Sequence, residues 1–179
     1  AATYIIEDEV QQTPDVLIDR LQRALNGLGG PNCSGNVPGA NGCQYFNPFS
    51  NGYAGNRPLE LTNPGYVPAN ANSTDLVAWL FDTQRYTAKT QTWVADAAVS
   101  GKLPITLPGG DVGFAVGAQY RHVDFKQDVS DIYNANLYPC PVLGDTSCAL
   151  KTGPYIFLGQ NVPLDLDLQV KAVFGELSV

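Results

Sequence analysis

Residues 111–125 read DVGFAVGAQYRHVDF. Along this stretch one set of alternating positions is apolar, and the other set is small or polar. Because successive side chains of a strand point to opposite faces of a sheet, this period of two predicts a strand with one apolar and one wet face. The apolar positions are Val112, Phe114, Val116, Ala118 and Tyr120, and the positions facing the other way are Gly113, Ala115, Gly117, Gln119 and Arg121.

Three further segments are predicted to be strands. Residues 86–103 and 165–179 alternate in the same way, and residues 1–7 form the end of another strand. Residues 104–110, which include two prolines and two glycines, are predicted to be a compact turn. The strands of 15 to 18 residues exceed the usual five or six. We therefore predict a mainly β protein with long antiparallel strands.

Two long connections separate the strands. Residues 8–85 and 126–164 contain many Gly, Asn and Pro residues, and we expect them to be folded loops. In the first loop, Thr13-Pro14-Asp15 supplies a capping hydroxyl, a proline for the first turn and an acidic group, which predicts a helix near residues 14–27. A capping serine predicts a second helix near residues 74–83.

Aromatic side chains are spread through both loops. They offer surfaces for stacking and hydrogen bonding to a small ligand such as a carbohydrate, and they can equally pack the loops against themselves. We expect packing to account for most of them. The candidates for contact with a ligand or a subunit are Tyr45, Phe46, Phe49, Tyr53, Tyr133 and Tyr138.

The four cysteines form two close pairs. Cys33 is followed by Cys43, and Cys140 is followed by Cys148, each pair within loop-like sequence. These spacings match no zinc-binding framework, whereas a bridge within each pair closes a loop of about ten residues. We therefore expect two local disulfides and an oxidising compartment.

Charge and motif content exclude several functions. The chain has 17 acidic and 10 basic residues and a net charge of −7, so it lacks the positive surface that holds a nucleic acid.

His122 is the sole histidine, and it is expected at the rim of a strand. Because no nucleophile elbow, phosphate loop or dinucleotide motif is present, we expect no enzyme activity, cofactor or metal. A weak alternative is Ca²⁺ bound by Asp124, Asp128 and Asp131 or by Asp165 and Asp167.

The order of strands and connections favours a membrane barrel. Long connections lie at one end of the predicted strands and the short turn lies at the other, as in transmembrane β-barrels, whose turns are short on the periplasmic side and long outside. No apolar run approaches the ~18 residues of a membrane-spanning helix. The opening residues, Ala1 to Tyr4, contain neither an initiator methionine nor a signal peptide, and we expect a processed or excised piece.

Several short motifs follow one another along the chain. The first are Pro14-Asp15, Asp19-Arg20-Leu21-Gln22, Ala24-Leu25-Asn26-Gly27, Gly29-Gly30 before Cys33, and Phe46-Asn47-Pro48-Phe49-Ser50 after Cys43. The later ones are Leu107-Pro108-Gly109-Gly110, Gly113-Phe114-Ala115, Gly117-Ala118-Gln119-Tyr120-Arg121 and Phe174-Gly175-Glu176-Leu177. Together they resemble a loop and strand region of the TonB-dependent outer-membrane receptors of Gram-negative bacteria. The resemblance covers nearly the whole chain.

This resemblance implies part of a receptor barrel that imports a scarce nutrient, such as a ferric siderophore or an oligosaccharide. Its partners would be the rest of the barrel, the outer membrane and the nutrient, and its loops would be extracellular. The plug and the energy-coupling box of such receptors are not found in these residues. Four strands are also far fewer than the 22 of a transporter barrel, so this chain cannot transport alone.

Two other functions fit the same pattern. An excised piece of a barrel has unpaired backbone groups at both sheet edges, so copies of it can pair into an oligomer or filament with a structural role. A weaker alternative is a secreted binding domain with a β-sandwich fold.

Overall fold

A computed structural model describes residues 1–179, with the side chain of Arg57 excepted. The chain is mainly β, as predicted. The strands are β1 (Ala2–Val16), β2 (Gly55–Asn56), β3 (Leu61–Thr62), β4 (Phe81–Leu107), β5 (Gly110–Val129) and β6 (Leu164–Ser178). The α-helices are α1 (Ile18–Leu25) and α2 (Thr74–Leu80), and the single 3-10 turns are Ser50–Gly52, Arg57–Leu59, Pro68–Asn70 and Asp131–Tyr133. Among the described residues, neither α-helix is long and apolar enough to cross a membrane.

The chain divides into two compact units. The sheet unit consists of residues 1–11, 86–128 and 163–179, and the loop unit consists of residues 12–85 and 129–162. The long strands therefore supply the first unit, and the two long connections with the strand ends that lead into them supply the second.

The long strands form one sheet in the order β1-β4-β5-β6. β5 and β6 are antiparallel, with a continuous register from Gly113 opposite Ser178 to Gln127 opposite Leu164. β1 and β6 are the two edges of the sheet, so the chain by itself forms no closed barrel. Within the sheet unit the sheet is a single layer, which gives no support to the β-sandwich alternative.

The predicted start of the first helix is wrong. β1 runs past residue 7 to Val16, and α1 begins two residues later. Pro14 is tolerated because β1 is an edge strand, where one missing N–H leaves an outer backbone position unpaired. Asp15 caps no helix, since its Oδ2 accepts hydrogen bonds from the backbone N–H groups of Phe157 and Leu158, both at 2.8 Å. Residues that are typical of a helix start therefore lie in a strand here, and hydrogen bonds from Asp15 connect the end of this strand to the second loop.

The remaining strands are longer than predicted. β4 begins at Phe81 instead of residue 86, and it continues through Pro104 to Leu107, so the predicted turn at 104–110 shortens to Pro108-Gly109. Pro104 fits in this strand because Ala1 already reaches Asp96, and beyond that point β4 has a partner on one side only. β5 extends to Val129 and β6 begins at Leu164, and this shortens the second loop at both ends.

The loop unit has a small apolar core. Ala24 of α1 is buried together with Leu76 and Leu80 of α2. Four partly buried side chains pack against this cluster, namely Val16, Leu21, Phe46 and Trp79. The two short helices thus bury their apolar faces against each other within the first long connection.

The predicted second helix is confirmed, and so are both disulfides. Ser73 is the N-cap of α2, and its hydroxyl accepts a hydrogen bond from the N–H of Leu76 at 3.1 Å. Cys33 is bonded to Cys43 and Cys140 is bonded to Cys148, each within one long loop. The bridges restrain two segments that have little regular secondary structure of their own.

Candidate functional site

β6 is the most regularly amphipathic strand of the sheet unit. From Leu164 to Phe174 every second residue is apolar, while the residues between them are polar, charged or, at Val173, apolar. Leu166, Leu168 and Phe174 are 54%, 56% and 57% exposed, so this surface is uncovered. We call it the apolar stripe, and its members are Leu164, Leu166, Leu168, Val170, Ala172 and Phe174.

The register carries the apolar stripe onto β5. Phe125 lies directly opposite Leu166, and Val123 lies directly opposite Leu168. Directly opposed residues of an antiparallel pair share a face, so these four side chains form one apolar surface across both strands. The alternate pairs, such as Asp124 with Asp167, lie on the other face. Near the start of β6, the face that carries Asp124 and Asp167 is therefore the polar face of the sheet.

Toward the β4–β5 turn, the apolar residues of β5 lie on the opposite face of the sheet from the apolar stripe. Phe114 is opposite Leu177, and this pair lies on the same face as Asp124 because Phe114 and Asp124 are separated by an even number of positions along β5. The apolar set predicted for residues 112–120 therefore faces away from the apolar stripe. The alternation within a single strand does not reveal this switch, since only the pairing register places two strands relative to each other.

Three chemically active side chains meet on the polar face. His122 Nε2 lies 3.0 Å from both carboxylate oxygens of Asp124 and 3.1 Å from Oδ2 of Asp167. Asp124 reaches His122 because residues two apart on a strand share a face, and Asp167 reaches it across the β5–β6 pair. The other acidic residues considered for Ca²⁺, Asp128, Asp131 and Asp165, are not part of this group. The grouping of His122 with two carboxylates is a consequence of register that the linear sequence does not show.

A shallow cavity of about 360 Å³ lies beside this group in the sheet unit. Its lining residues are Ala2, Trp93, Val94, Ala95, Tyr120 and His122. The ring of Tyr4 stacks on the ring of Trp93 with their centroids 4.0 Å apart and their planes inclined by 24°. Aromatic residues of three strands therefore lie next to the histidine and the two carboxylates, and none of these aromatics was selected from the sequence as a site residue.

The aromatic candidates of the first loop differ in their environment. Phe46 packs on the apolar core, and the ring of Tyr45 lies against Gly27, where it leaves no room for a side chain. Phe49 and Tyr53 are exposed, and their hydrogen bonds are made by the backbone: the N–H groups donate to Asn47 and Ser50, and the carbonyls accept from Gly52 and Asn63 respectively. Phe49 and Tyr53 are thus the candidates of this loop that remain free to contact a ligand or another subunit.

The candidates of the second loop are mainly packing residues. The rings of Tyr133 and Tyr155 meet edge to face with centroids 6.3 Å apart. Tyr138 is half-buried, and its backbone carbonyl accepts a hydrogen bond from the side-chain amide of Gln160. The ring of Tyr133 therefore packs within its loop, whereas Tyr138 is held through its backbone carbonyl.

A network of asparagines organises the first loop. Asn47 Nδ2 donates to Oδ1 of Asn51 and to the carbonyl of Asn70, both at 2.9 Å, and Asn72 Nδ2 donates to the carbonyl of Asn47 at 2.8 Å. Together with Tyr45, these residues line a second shallow cavity. Because their amide groups already bond to one another and to the backbone, we assign them a structural role.

A buried polar cluster joins the ends of both loops. Tyr155 is 2% exposed, and its hydroxyl has no hydrogen-bond partner among the described atoms. Burial, followed by the nearby carboxylates of Asp82 and Asp15, raises the pKa of Tyr155 to about 12. Ionisation of this hydroxyl would place a negative charge in a dry site that already contains acidic groups, so folding favours the neutral form.

The raised pKa of Tyr155 predicts an alkaline loss of stability. The folded-state pKa of about 12 lies above the ordinary value of 10.0, so this contribution is complete below pH 10 and disappears between pH 10 and pH 12. We expect the free energy of unfolding to fall by about 3 kcal/mol across this interval. Urea unfolding at pH 9 to 12 measures the effect, and Tyr155→Phe is the control. Parallel pH profiles for the wild type and Tyr155→Phe would contradict the assignment.

We compared the chain with protein-family models, with curated proteins and with solved structures, and no match was found.

Proposed function

We propose that this chain is a segment of a TonB-dependent outer-membrane receptor, with the sheet unit as part of the barrel wall and the loop unit as extracellular loops. In this proposal the parent receptor takes up a nutrient such as a siderophore or an oligosaccharide. The proposal rests first on the apolar stripe of β6, and the motif resemblance supplies the transport role.

The length of the apolar stripe suits an outer membrane. Residues 164–174 extend over roughly 36 Å at about 3.3 Å per residue. A strand tilted by ~40° would then cross about 28 Å, close to the ~25 Å apolar band of outer-membrane barrels. A sheet in water normally covers such a surface with a helix or a second sheet. In the sheet unit, as described, no helix covers it.

The loop unit supports the same proposal. Its two disulfides imply an oxidising environment, and each bridge lies in a connection between long strands. The connection between β4 and β5, by contrast, has only two residues, Pro108 and Gly109. Long connections at one end of the strands and short ones at the other are typical of outer-membrane barrels.

Lipid exposure of the apolar stripe tests the proposal. We would attach an environment-sensitive fluorophore to a single cysteine introduced as Leu168→Cys or Asp167→Cys, and then insert the chain into lipid vesicles. The four native cysteines are bonded to each other, so only the new thiol reacts. At position 168 we expect blue-shifted emission and quenching by lipids that carry a quencher in the acyl chain. At position 167 we expect neither effect, because adjacent residues face opposite sides.

The two positions form a matched pair that differs by one residue along the same strand. The same alternation is expected when the label is moved through residues 164–172. Equal emission at positions 167 and 168, or a quenching profile without a period of two, would exclude a lipid-facing β6 and with it the receptor proposal.

A second function, self-assembly of the chain as an excised fragment, is favoured by the two edges of the sheet. β1 and β6 both contain 15 residues. They run in opposite directions, because β1 and β6 are the first and fourth strands of an antiparallel sheet, and the direction alternates from strand to strand. β6 of one copy can therefore pair antiparallel with β1 of the next and continue the sheet. A head-to-tail contact of this kind yields a ring if it closes and a filament if it does not.

Electron microscopy of the chain in buffer without detergent separates the two functions. Regular rings or filaments formed by the pure 179-residue chain would favour self-assembly. Aggregation that detergent reverses to dispersed particles would favour the receptor segment. Dispersed monomers in buffer alone would contradict both, since each requires the exposed surface or edges to be covered.

A further inference from the structure

The cavity beside Trp93 has an aromatic wall that is open to a ligand. Tyr4, Trp93 and Tyr120 are 43%, 51% and 39% exposed. Trp93 and Tyr120 line the cavity, and Tyr4 stacks on Trp93. Ala2 and Ala95 complete the apolar lining of the cavity. Exposed aromatic rings in a cavity provide flat surfaces on which an apolar group or a cation of a ligand can stack.

Two negatively charged groups lie next to this cavity, on the far side of His122. His122 lines the cavity, and its Nε2 is the atom that meets Asp124 and Asp167. The side chains of these two carboxylates are 49% and 57% exposed. A carboxylate accepts several hydrogen bonds, so contact with His122 leaves further lone pairs of both groups available.

Two lysines on this face limit how a ligand can lie. Lys171 is directly opposite Tyr120, and it is four residues from Asp167 along β6. This separation is roughly 13 Å along the strand. Lys126 lies two residues beyond Asp124 on β5 and therefore shares its face. A cationic group is attracted to Asp124 and Asp167, which lie between the two lysines, and is repelled from the positions of Lys171 and Lys126.

From this arrangement, we propose that the cavity binds an organic cation with a flat apolar body. The ammonium group contacts the carboxylates of Asp124 and Asp167, and the body stacks on Trp93 and Tyr120. The inference does not depend on the receptor proposal, because the cavity lies on the face of the sheet opposite the apolar stripe. Its test measures binding and not insertion into a membrane, so each proposal can fail separately.

A pair of probes with the same ring tests the charge requirement. Tyramine carries an ammonium group, and tyrosol carries a hydroxyl in its place. Titration calorimetry of the full chain in detergent is expected to show saturable binding of tyramine, with tyrosol binding 10- to 100-fold more weakly, as the loss of a charge-assisted hydrogen bond predicts. No saturation by tyramine up to about 10 mM, or equal affinity for both probes, would overturn the proposal.

Variants locate the binding to this cavity. Asp124→Asn combined with Asp167→Asn is expected to weaken tyramine binding 10- to 100-fold without changing tyrosol binding. Trp93→Ala is expected to weaken both probes. The control is Asp111→Asn, because Asp111 lies on β5 beside Lys102 and away from the cavity, and it should leave both affinities unchanged. Unchanged tyramine affinity in the double variant would also overturn the proposal, provided that circular dichroism shows the sheet intact.

Discussion

Replacing Asp15 with alanine is expected to lower the free energy of unfolding of the loop unit by about 3–5 kcal/mol. Asp15 is buried, its Oδ2 accepts from the N–H groups of Phe157 and Leu158 at 2.8 Å, and its Oδ1 accepts from the N–H of Val16 at 2.7 Å. Alanine would leave these donors without their charged acceptor. It would also release the second loop from the end of β1. Urea unfolding followed by circular dichroism measures the change.

Asp145→Ala is the matched control for this substitution. Asp145 also accepts two hydrogen bonds within a loop, from the N–H and the hydroxyl of Ser147, and these bonds lower its pKa. Both hydrogen bonds are exposed to solvent, so water replaces the lost contacts, and we expect no measurable shift of the urea midpoint. Equal effects of the two substitutions would mean that Asp15 does not hold the loops together.

Leu76→Ala is the second substitution with a large expected effect. Leu76 is 1% exposed and lies in the cluster with Ala24 and Leu80. Truncation removes buried methyl groups and leaves a cavity that two short helices cannot refill, which costs about 2–5 kcal/mol. Trp79 packs on the same cluster, so its fluorescence reports the unfolding of this core directly.

Leu150→Ala is the control for the core substitution. Leu150 belongs to the same loop unit and has the same side chain, but it is exposed. Its truncation should change the free energy of unfolding by less than about 0.5 kcal/mol. If Leu150→Ala were as destabilising as Leu76→Ala, the cluster around α1 and α2 would not be the core of this unit.

Patterns that depend on near neighbours in the chain were sufficient to predict much of this fold. The period of two predicted the strands around residues 86–103, 111–125 and 165–179, because side-chain alternation is a property of a single strand. Ser73 marked the start of α2, since an N-cap interacts with the residues that immediately follow it. Both disulfides could likewise be predicted from short spacings, as each closes a loop of 8 or 10 residues.

The same local reasoning was wrong at Thr13-Pro14-Asp15. These residue types favour a helix start, but the carboxylate of Asp15 found its partners at Phe157 and Leu158, more than 140 residues away. Two long-range hydrogen bonds to a buried carboxylate outweigh a capping preference of about 1 kcal/mol. The strand therefore continues through Pro14, which an edge position permits.

By itself, the sequence determined the strand-rich class of the chain and the two disulfide-bridged loops, because these follow from composition and local spacing. Only the tertiary structure decided which strands are neighbours, which face of each strand joins the apolar stripe, and that His122 meets Asp124 and Asp167. These features depend on the register between strands, and a shift of one residue would move every side chain to the other face. The group of His122, Asp124 and Asp167 is therefore formed by the pairing of β5 with β6, and no motif within one strand contains all three residues.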